Sequence, residues 1–370
     1  MNSNNPNPNP NLMHRGSPGG KKRSSSWLWL LVSLAVALLL ALNPALSAFA
    51  APGDLDQAFG TGGKVTTDFF THTDTATAVA IQSNGKIVAA GYSLVSASDF
   101  DFALSRYNSD GTLDTTFDAD GKVTTPILSG SDDAYAVAIQ SDGKIVAAGF
   151  AYHDTTSFDD FALARYLSDG SLDTTFSGDG KVVTDFLGGN DEAKAVAIQS
   201  DGKVVAAGFA RSPSSRNYFA LARYNFDGNP DTSFGTGGDG KVTTDFGVST
   251  TGLDMAIQAD GKIVVAGSAD VGVGNADFVL ARYLSDGSLD TSFGGGTGKV
   301  TTDFFGSYDT ANALAIQTNG KIVAAGSADH GANSNDFALA RYLSDGSLDT
   351  TFSGNGKVFA DFGGNDVAFA

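Results

Sequence analysis

The sequence predicts an all-β fold, a β-propeller of four-stranded antiparallel blades, written as five full repeats of about 59 residues plus a partial sixth. Three observations carry that prediction. One phrase returns at a nearly constant interval, its strand candidates are short and bounded by turn residues, and negative charge is spent almost wholly on aspartate. Asp and Glu together number 41, and Glu192 is the single glutamate. Glu suits helices, whereas the short Asp side chain bonds nearby backbone amides and suits turns.

The recurring phrase is clearest at Ala80-Ile81-Gln82-Ser83-Asn84-Gly85-Lys86-Ile87-Val88-Ala89-Ala90-Gly91. Its Ile returns at 139, 198, 257 and 316. A fixed interval of this length marks a repeat architecture. Each period holds four strand candidates in order: Gly63 to Phe69 (again Gly240 to Phe246), Ala136 to Gln140, Lys144 to Gly149, and Asp160 to Tyr166. They are rich in β-branched and aromatic residues and end at Gly, Asp or Ser.

Asn84-Gly85, Asp142-Gly143, Asp201-Gly202, Asp260-Gly261 and Asn319-Gly320 join the second and third candidates. That dipeptide accepts positive φ at both positions and predicts a two-residue type I′ hairpin, hence antiparallel strands. Strand side chains alternate, so Val137 and Ile139 oppose Ala136 and Ala138, and Ile145 and Ala147 oppose Val146 and Ala148. Neither face is polar, so both faces of each sheet are expected to be buried against neighbours, as in stacked blades.

Ahead of the repeats, residues 1 to 26 are polar and end in Lys21-Lys22-Arg23. Trp27 to Leu42 is apolar apart from Ser33, then Asn43-Pro44 breaks the run and Ala48-Phe49-Ala50 precedes Ala51. This order reads as a secretory signal peptide over residues 1–50, cleaved at Ala48, Ala50 and Ala51, with one propeller domain over 51–370. The apolar run is shorter than the roughly 20 residues of a membrane span, so no stable span is expected after cleavage. The expected location is extracellular or periplasmic.

Beyond residue 50 the chain carries 19 bases against 41 acids, a balance that repels phosphate backbones and excludes nucleic acid as a natural partner. There is no cysteine, so disulfides, thiolate chemistry and cysteine zinc sites are excluded.

Several recurring residues invite a functional reading. Arg106, Arg165, Arg223, Arg282 and Arg341 each precede Tyr at the end of the fourth candidate, and Asp101, Asp160, Asp277 and Asp336 precede its Phe, with Tyr218 in the third copy. A ring of Arg could bind an anion, but an Arg in every blade is expected to pair with Asp and bridge strands or blades. Phe59, Phe117, Phe176, Phe234, Phe293 and Phe352 are expected to plug the core between blades.

Asp118-Ala119-Asp120-Gly121, Gly178-Asp179-Gly180 and Gly238-Asp239-Gly240 cluster carboxylates that could hold calcium. Other copies vary, at Thr61-Gly62-Gly63, Gly296-Thr297-Gly298 and Gly354-Asn355-Gly356, and turn formation alone explains them. No cofactor is expected; calcium is the one candidate.

His72, His153 and His330 sit in unlike loop contexts, and neither a His-x-x-His spacing nor a Gly-x-Ser-x-Gly elbow occurs beyond the leader, so no catalytic residue is assigned. The least repetitive segments are Ser93 to Ser98, Ala151 to Phe158, Ala210 to Asn217, Ala269 to Ala276 and Ala328 to Asn335, all between the third and fourth candidates. Varying loops on a fixed scaffold are where binding usually lives.

Leu172-Asp173-Thr174-Thr175-Phe176, Gly180-Lys181-Val182, the run Ala197 to Lys203 and Phe161 to Tyr166 together resemble the delta-60 repeat of bacterial secreted proteins. The resemblance spans Asp54 to Ala370 and implies export and a propeller-like fold, with no activity attached. The last copy stops at Asn365 to Ala370, part-way through the period, which leaves a closed five-blade ring and an open part of a larger one both possible.

Three functions follow. The leading one is a non-enzymatic binding propeller for a glycan or surface protein, using the loops between the third and fourth candidates. The second is a structural or adhesive repeat module of a larger surface protein. The third is an Asp-based hydrolase or lyase, which clustered, desolvated Asp at a channel mouth would favour.

Overall fold

The computed structural model describes residues 53–96, 98–153, 158–331 and 335–369. The proposed cleavage residues Ala48, Ala50 and Ala51 lie outside them, and no described helix is long and apolar enough to cross a membrane.

Among the described residues, twenty strands form five sheets of four, each ordered as in the chain and antiparallel throughout. Blade 1 comprises β1 (Asp74–Ile81), β2 (Ile87–Ser96), β3 (Asp99–Tyr107) and β4 (Lys122–Thr125). Blade 2 comprises β5 (Asp132–Ile139), β6 (Ile145–His153), β7 (Phe158–Tyr166) and β8 (Lys181–Thr184). Blade 3 follows with β9 (Asp191–Ile198), β10 (Val204–Arg211), β11 (Asn217–Tyr224) and β12 (Lys241–Thr244). Blade 4 has β13 (Thr250–Ile257), β14 (Ile263–Gly272), β15 (Asn275–Tyr283) and β16 (Lys299–Thr302). Blade 5 has β17 (Asp309–Ile316), β18 (Ile322–Asp329), β19 (Asn335–Tyr342) and β20 (Lys357–Ala360).

The five four-stranded blades match the expectation, but their phase differs from the written repeat. The Lys-Val-Thr-Thr segment that opens each period is the fourth, outermost strand of the preceding blade: Lys181–Thr184 pairs with β7. Among the described residues no blade precedes the first copy, and Lys64 makes an isolated bridge to Gly60.

The hairpins also differ from expectation. Gly85, Gly143, Gly202, Gly261 and Gly320 have φ between +80° and +87°, while the Asn or Asp before each stays at negative φ. The amide of Gly85 donates to the Gln82 carbonyl at 2.9 Å, and Gln82 N–H to Lys86 O at 2.8 Å, which makes a three-residue loop closed by a left-handed glycine. The cause is local. Asn84 Oδ1 accepts the Lys86 N–H at 3.0 Å, and Asp142 Oδ1 that of Lys144 at 3.2 Å, so the side chain closes its own turn.

The glycine ending each Ala-Ala-Gly has a different task. Opposite it the first strand of the blade bulges, and a Cβ on Gly208 would lie 1.9 Å from the Glu192 carbonyl oxygen. Gly91, Gly149, Gly267 and Gly326 meet the same obstruction.

Blades stack face on face, and four apolar cores lie between them. Val146, Ala148, Phe161 and Leu163 of blade 2 meet Val204, Ala206, Ala220 and Tyr224 of blade 3. The opposite face of blade 2, with Ile145, Ala147, Ala162 and Tyr166, meets Val88, Phe102 and Leu104 of blade 1. Both faces are thus buried in the inner blades. The outermost strand of each blade grips the next: Thr125 Oγ1 accepts from Tyr166 at 2.9 Å, and Lys181 Nζ donates to the Pro126 carbonyl at 3.1 Å.

At the two ends of the stack, one blade face is uncovered. Val79 and Ile81 of β1 are 66% and 72% exposed, and a groove of about 620 Å³ runs over Val65, Thr67, Ala89, Gly91 and Tyr107. In blade 5, Val323, Ala325, Phe337 and Leu339 are only half-buried.

The recurring Arg is structural, as expected. Arg165 donates from Nε to Asp173 at 2.8 Å, from Nη2 to Thr175 at 3.2 Å, and from Nη1 to the Phe226 carbonyl of the next blade at 2.5 Å. Its guanidinium lies 4.4 Å from the ring centre of Phe176, which is fully buried. Arg106 and Arg223 bridge to the carbonyls of Ser168 and Ser285, and Arg282 to that of Ser344 at 2.5 Å. The partner is the Asp of the Leu-Asp-Thr-Thr-Phe phrase, while Asp101 and its equivalents sit at the other end of the blade.

Three substitutions separate these causes. Gly208→Ala should destabilise by about 1–3 kcal/mol through forced displacement of backbone, against roughly 1 kcal/mol for Gly202→Ala, where only the left-handed φ is at stake and nothing lies within 4 Å. Arg165→Met should cost about 3–5 kcal/mol because the buried Asp173 carboxylate loses its guanidinium and is left with the half-buried Lys144, 3.4 Å away, as its cation. Urea unfolding of the variants beside the parent chain measures all three.

Candidate functional site

Strand register divides each blade into two ends with different chemistry. Asp132 lies opposite Ala151, and Ala151 opposite Asp160, so the start of β5, the end of β6 and the start of β7 share one end. The variable segments fall there, between the second and third strands of each blade. The other end carries the glycine-closed hairpins and the Arg network.

At the variable end, Asp160 of β7, Asp185 just after β8 and Asp191 opening β9 bring carboxylate oxygens within 4.8 Å of one another. Asp277, Asp303 and Asp309 do the same between blades 4 and 5, and Asp336, Asp361 and Asp366 at the far side of blade 5. Chain tracing explains the grouping. The outermost strand ends beside the start of the third strand, and the next blade begins directly above. Asp191 Oδ2 accepts the Phe186 N–H at 2.6 Å and Oδ1 that of Arg211 at 3.0 Å. Asp309 Oδ2 accepts the Phe304 N–H at 2.7 Å.

Burial pushes Asp132, Asp191 and Asp309 up to about 7, against the pull of these backbone donors, and neighbouring Asp charges add to the shift. Asp101 and Asp160 rise to about 6, again chiefly through burial. His153 Nε2 stands 3.1 Å from Asp160 Oδ2.

The junction between blades 3 and 4 departs from this pattern. Tyr218 and Thr250 stand where the others have Asp, and the remaining Asp245 pairs with the Arg216 guanidinium. Between blades 1 and 2, Pro126 replaces the middle Asp.

The carboxylates first singled out for calcium are turn residues. Asp120 Oδ1 accepts the Lys122 N–H at 2.9 Å, Asp179 that of Lys181 at 2.9 Å and Asp239 that of Lys241 at 3.2 Å. All three are exposed, and each closes its own loop. The junction groups escaped sequence reading because their members are dozens of residues apart in part, and Asp185 reads as the tail of a strand.

The variable segments form surface hairpins. In Ala269 to Ala276, β14 and β15 run to a tight turn at Val273-Gly274. This hairpin walls a groove of about 670 Å³ with Ser249, Ser268, Asp270 and Asn275 along it and Tyr308, 53% exposed, at its rim. In Ala210 to Asn217, Ser212 N–H bonds the Arg216 carbonyl at 2.9 Å. Parts of the other three segments, residues 97, 154–157 and 332–334, lie outside the described residues. His330 packs against Phe305 and Phe359 at 4.6 and 5.4 Å between ring centres, and His72 borders the groove on blade 1.

The two ends carry opposite pH signs. At the Arg end, burial opposes the charge of Asp114 and Asp231, and hydrogen bonds led by Lys86 and Lys203 outweigh it and hold both carboxyls below their ordinary range. Their stabilisation is present above pH 4 and lost as pH falls below it. For Asp132, Asp191 and Asp309, the raised folded values mean stability present below about 4 and lost as pH rises to about 7. In chelator, the chain should therefore melt at a higher temperature at pH 5 than at pH 7.5. Asp309→Asn should shrink that difference by about 1–2 kcal/mol after allowance for solvent screening. Calorimetric melting across pH checks both.

Five stretches of the chain, residues 82–117, 140–176, 199–234, 258–293 and 317–352, match the family described as domain of unknown function (DUF5122) beta-propeller. No curated protein sequence matches the chain. A solved protein of unknown function from Dyadobacter fermentans DSM 18053 is 14% identical, with TM-score 0.46 over 78% of this chain and 84% of that one. A PL25 ulvan lyase is 11% identical, with TM-score 0.42 over 76% and 68%. An α-L-arabinofuranosidase from Clostridium thermocellum ATCC 27405 is 9% identical, with TM-score 0.39 over 75% and 93%. With five four-stranded blades and five profile matches in register with them, the repeats are those of a β-propeller repeat family.

Proposed function

We propose that this chain is an exported, non-enzymatic binding propeller that takes a neutral glycan at the variable end of its blades, with the groove beside Tyr308 as the principal seat. The observation that supports it is the groove itself. It is built by one of the segments that varies between repeats, it presents an exposed aromatic ring, and hydroxyl, amide and carboxylate groups converge along it. Sugar faces stack on such rings while their hydroxyls take the polar partners. The excess of acid over base disfavours polyanionic polymers. The Asp groups do not suggest a catalytic pair, because the same arrangement recurs three times, and the histidines beside two of them, His153 at 3.1 Å from Asp160 and His330 at 3.9 Å from Asp336, sit in unlike loops.

A structural role in a larger surface assembly is the second reading, and the uncovered faces of blades 1 and 5 favour it. The two separate in a pull-down of the purified chain on insoluble neutral polysaccharides and isolated cell walls. Saturable binding that weakens at least tenfold in Tyr308→Ala, a loss of about 1.4 kcal/mol or more, is the expected result. A folded chain that binds no matrix, or binds equally well with Tyr308→Ala, would sink the glycan seat. Complete absence of binding would favour the structural role.

A further inference from the structure

We propose that the three-Asp groups at the blade junctions bind a hard divalent cation, calcium first among them, with the Asp277, Asp303 and Asp309 group as the clearest site. This inference is independent of the glycan reading. The donor set is all carboxylate, with no nitrogen or sulfur, and that composition selects hard cations. The oxygens lie within 4.8 Å of one another. Calcium–oxygen distances of about 2.3–2.6 Å place ligands on opposite sides of one ion up to about 5 Å apart, so a single ion can meet all three.

Partner accounting points the same way. Asp309 spends Oδ2 on the Phe304 N–H, and Asp303 spends Oδ1 on the Gly306 N–H at 2.5 Å. Asp309 Oδ1 and Asp277 Oδ1 are buried with no hydrogen-bond partner, in residues 0% and 8% exposed. A buried carboxylate oxygen without a donor is costly, and two of them beside the exposed Asp303 carboxylate call for positive charge. Lys357 Nζ, whose charge is felt at Asp309, donates to the Asp303 carbonyl at 2.7 Å. Asp336 Oδ1, in a residue 2% exposed, is likewise unpartnered in the last group.

The junction between blades 3 and 4 acts as an internal control. Two of its three carboxylates are missing, and there the chain supplies the cation itself, as the Arg216 guanidinium on Asp245. Where the carboxylates are complete, no Arg takes that place. An ion in the first two groups would tie together the third and fourth strands of one blade and the first strand of the next.

The test is calorimetric titration of calcium into the purified, chelator-stripped chain at pH 7.5, together with its melting temperature. Saturable uptake of up to three ions per chain and a rise in melting temperature are expected. Asp309→Asn should lower the stoichiometry by one. Its amide oxygen still accepts the Phe304 N–H, so the fold persists, and Asp277→Asn serves as a second variant. Asp245→Asn should leave the stoichiometry unchanged. Absence of heat and of any thermal shift at about 10 mM calcium, tenfold above the weakest extracellular calcium modules, would overturn the proposal and assign the charge to shared protons. So would uptake undiminished in both variants. Magnesium binding as tight as calcium would overturn the choice of ion.

Discussion

The stack depends on a buried guanidinium in each of blades 1 to 4 whose donors are shared across the blade boundary. Arg165 cannot satisfy itself within its own sheet: Asp173 and Thr175 take two donors, and the third finds its acceptor only on the Phe226 carbonyl of the next blade. Phe176 lies beneath the planar group and seals it from water. A charge this deep is tolerable only when its neighbour is present, so the interaction links the integrity of each blade to the placement of the next. The apolar cores add strength between the sheets, but their Ala, Val, Ile and Leu surfaces could slide. The Arg bridge and the Tyr–Thr pairs set the registration.

The same logic leaves different bookkeeping at the opposite end. There the carboxylates outnumber the donors, and burial lifts the acids instead of holding them down. One sheet therefore presents a rim where aspartates pair with Arg and Lys and a rim where aspartates gather without them, separated by the length of a strand. The rim with spare acceptors is also the rim where the chain varies, which places the groove beside Tyr308 and the Asp groups on a common face.

Much of the fold was legible because the repeat forces the same local chemistry five times. Alternation in Ile145 to Gly149 announced a sheet buried on both sides, and the recurring Phe announced its plug. Two local features were misread. Asn84-Gly85 satisfies the usual signal for a tight two-residue turn, yet the Asn side chain bonds Lys86 and keeps its own φ negative. The Lys-Val-Thr-Thr strand belongs to the preceding blade, a fact invisible to any window that starts at the repeat boundary. The Asp groups were hidden for the same reason: Asp160, Asp185 and Asp191 straddle two blades, and only the pairing of β7 with β8 brings them together.

That offset has a consequence for how such a chain can change length. Because every written unit after the first lends its opening strand to the blade before it, each blade is stitched from two adjacent units. Duplication or loss of an internal unit leaves the remaining sheets four-stranded and gives the Arg of every blade that has a successor a carbonyl to reach. Growth and shrinkage by recombination then cost nothing locally, and tandem arrays of this design can vary in copy number without passing through a broken intermediate.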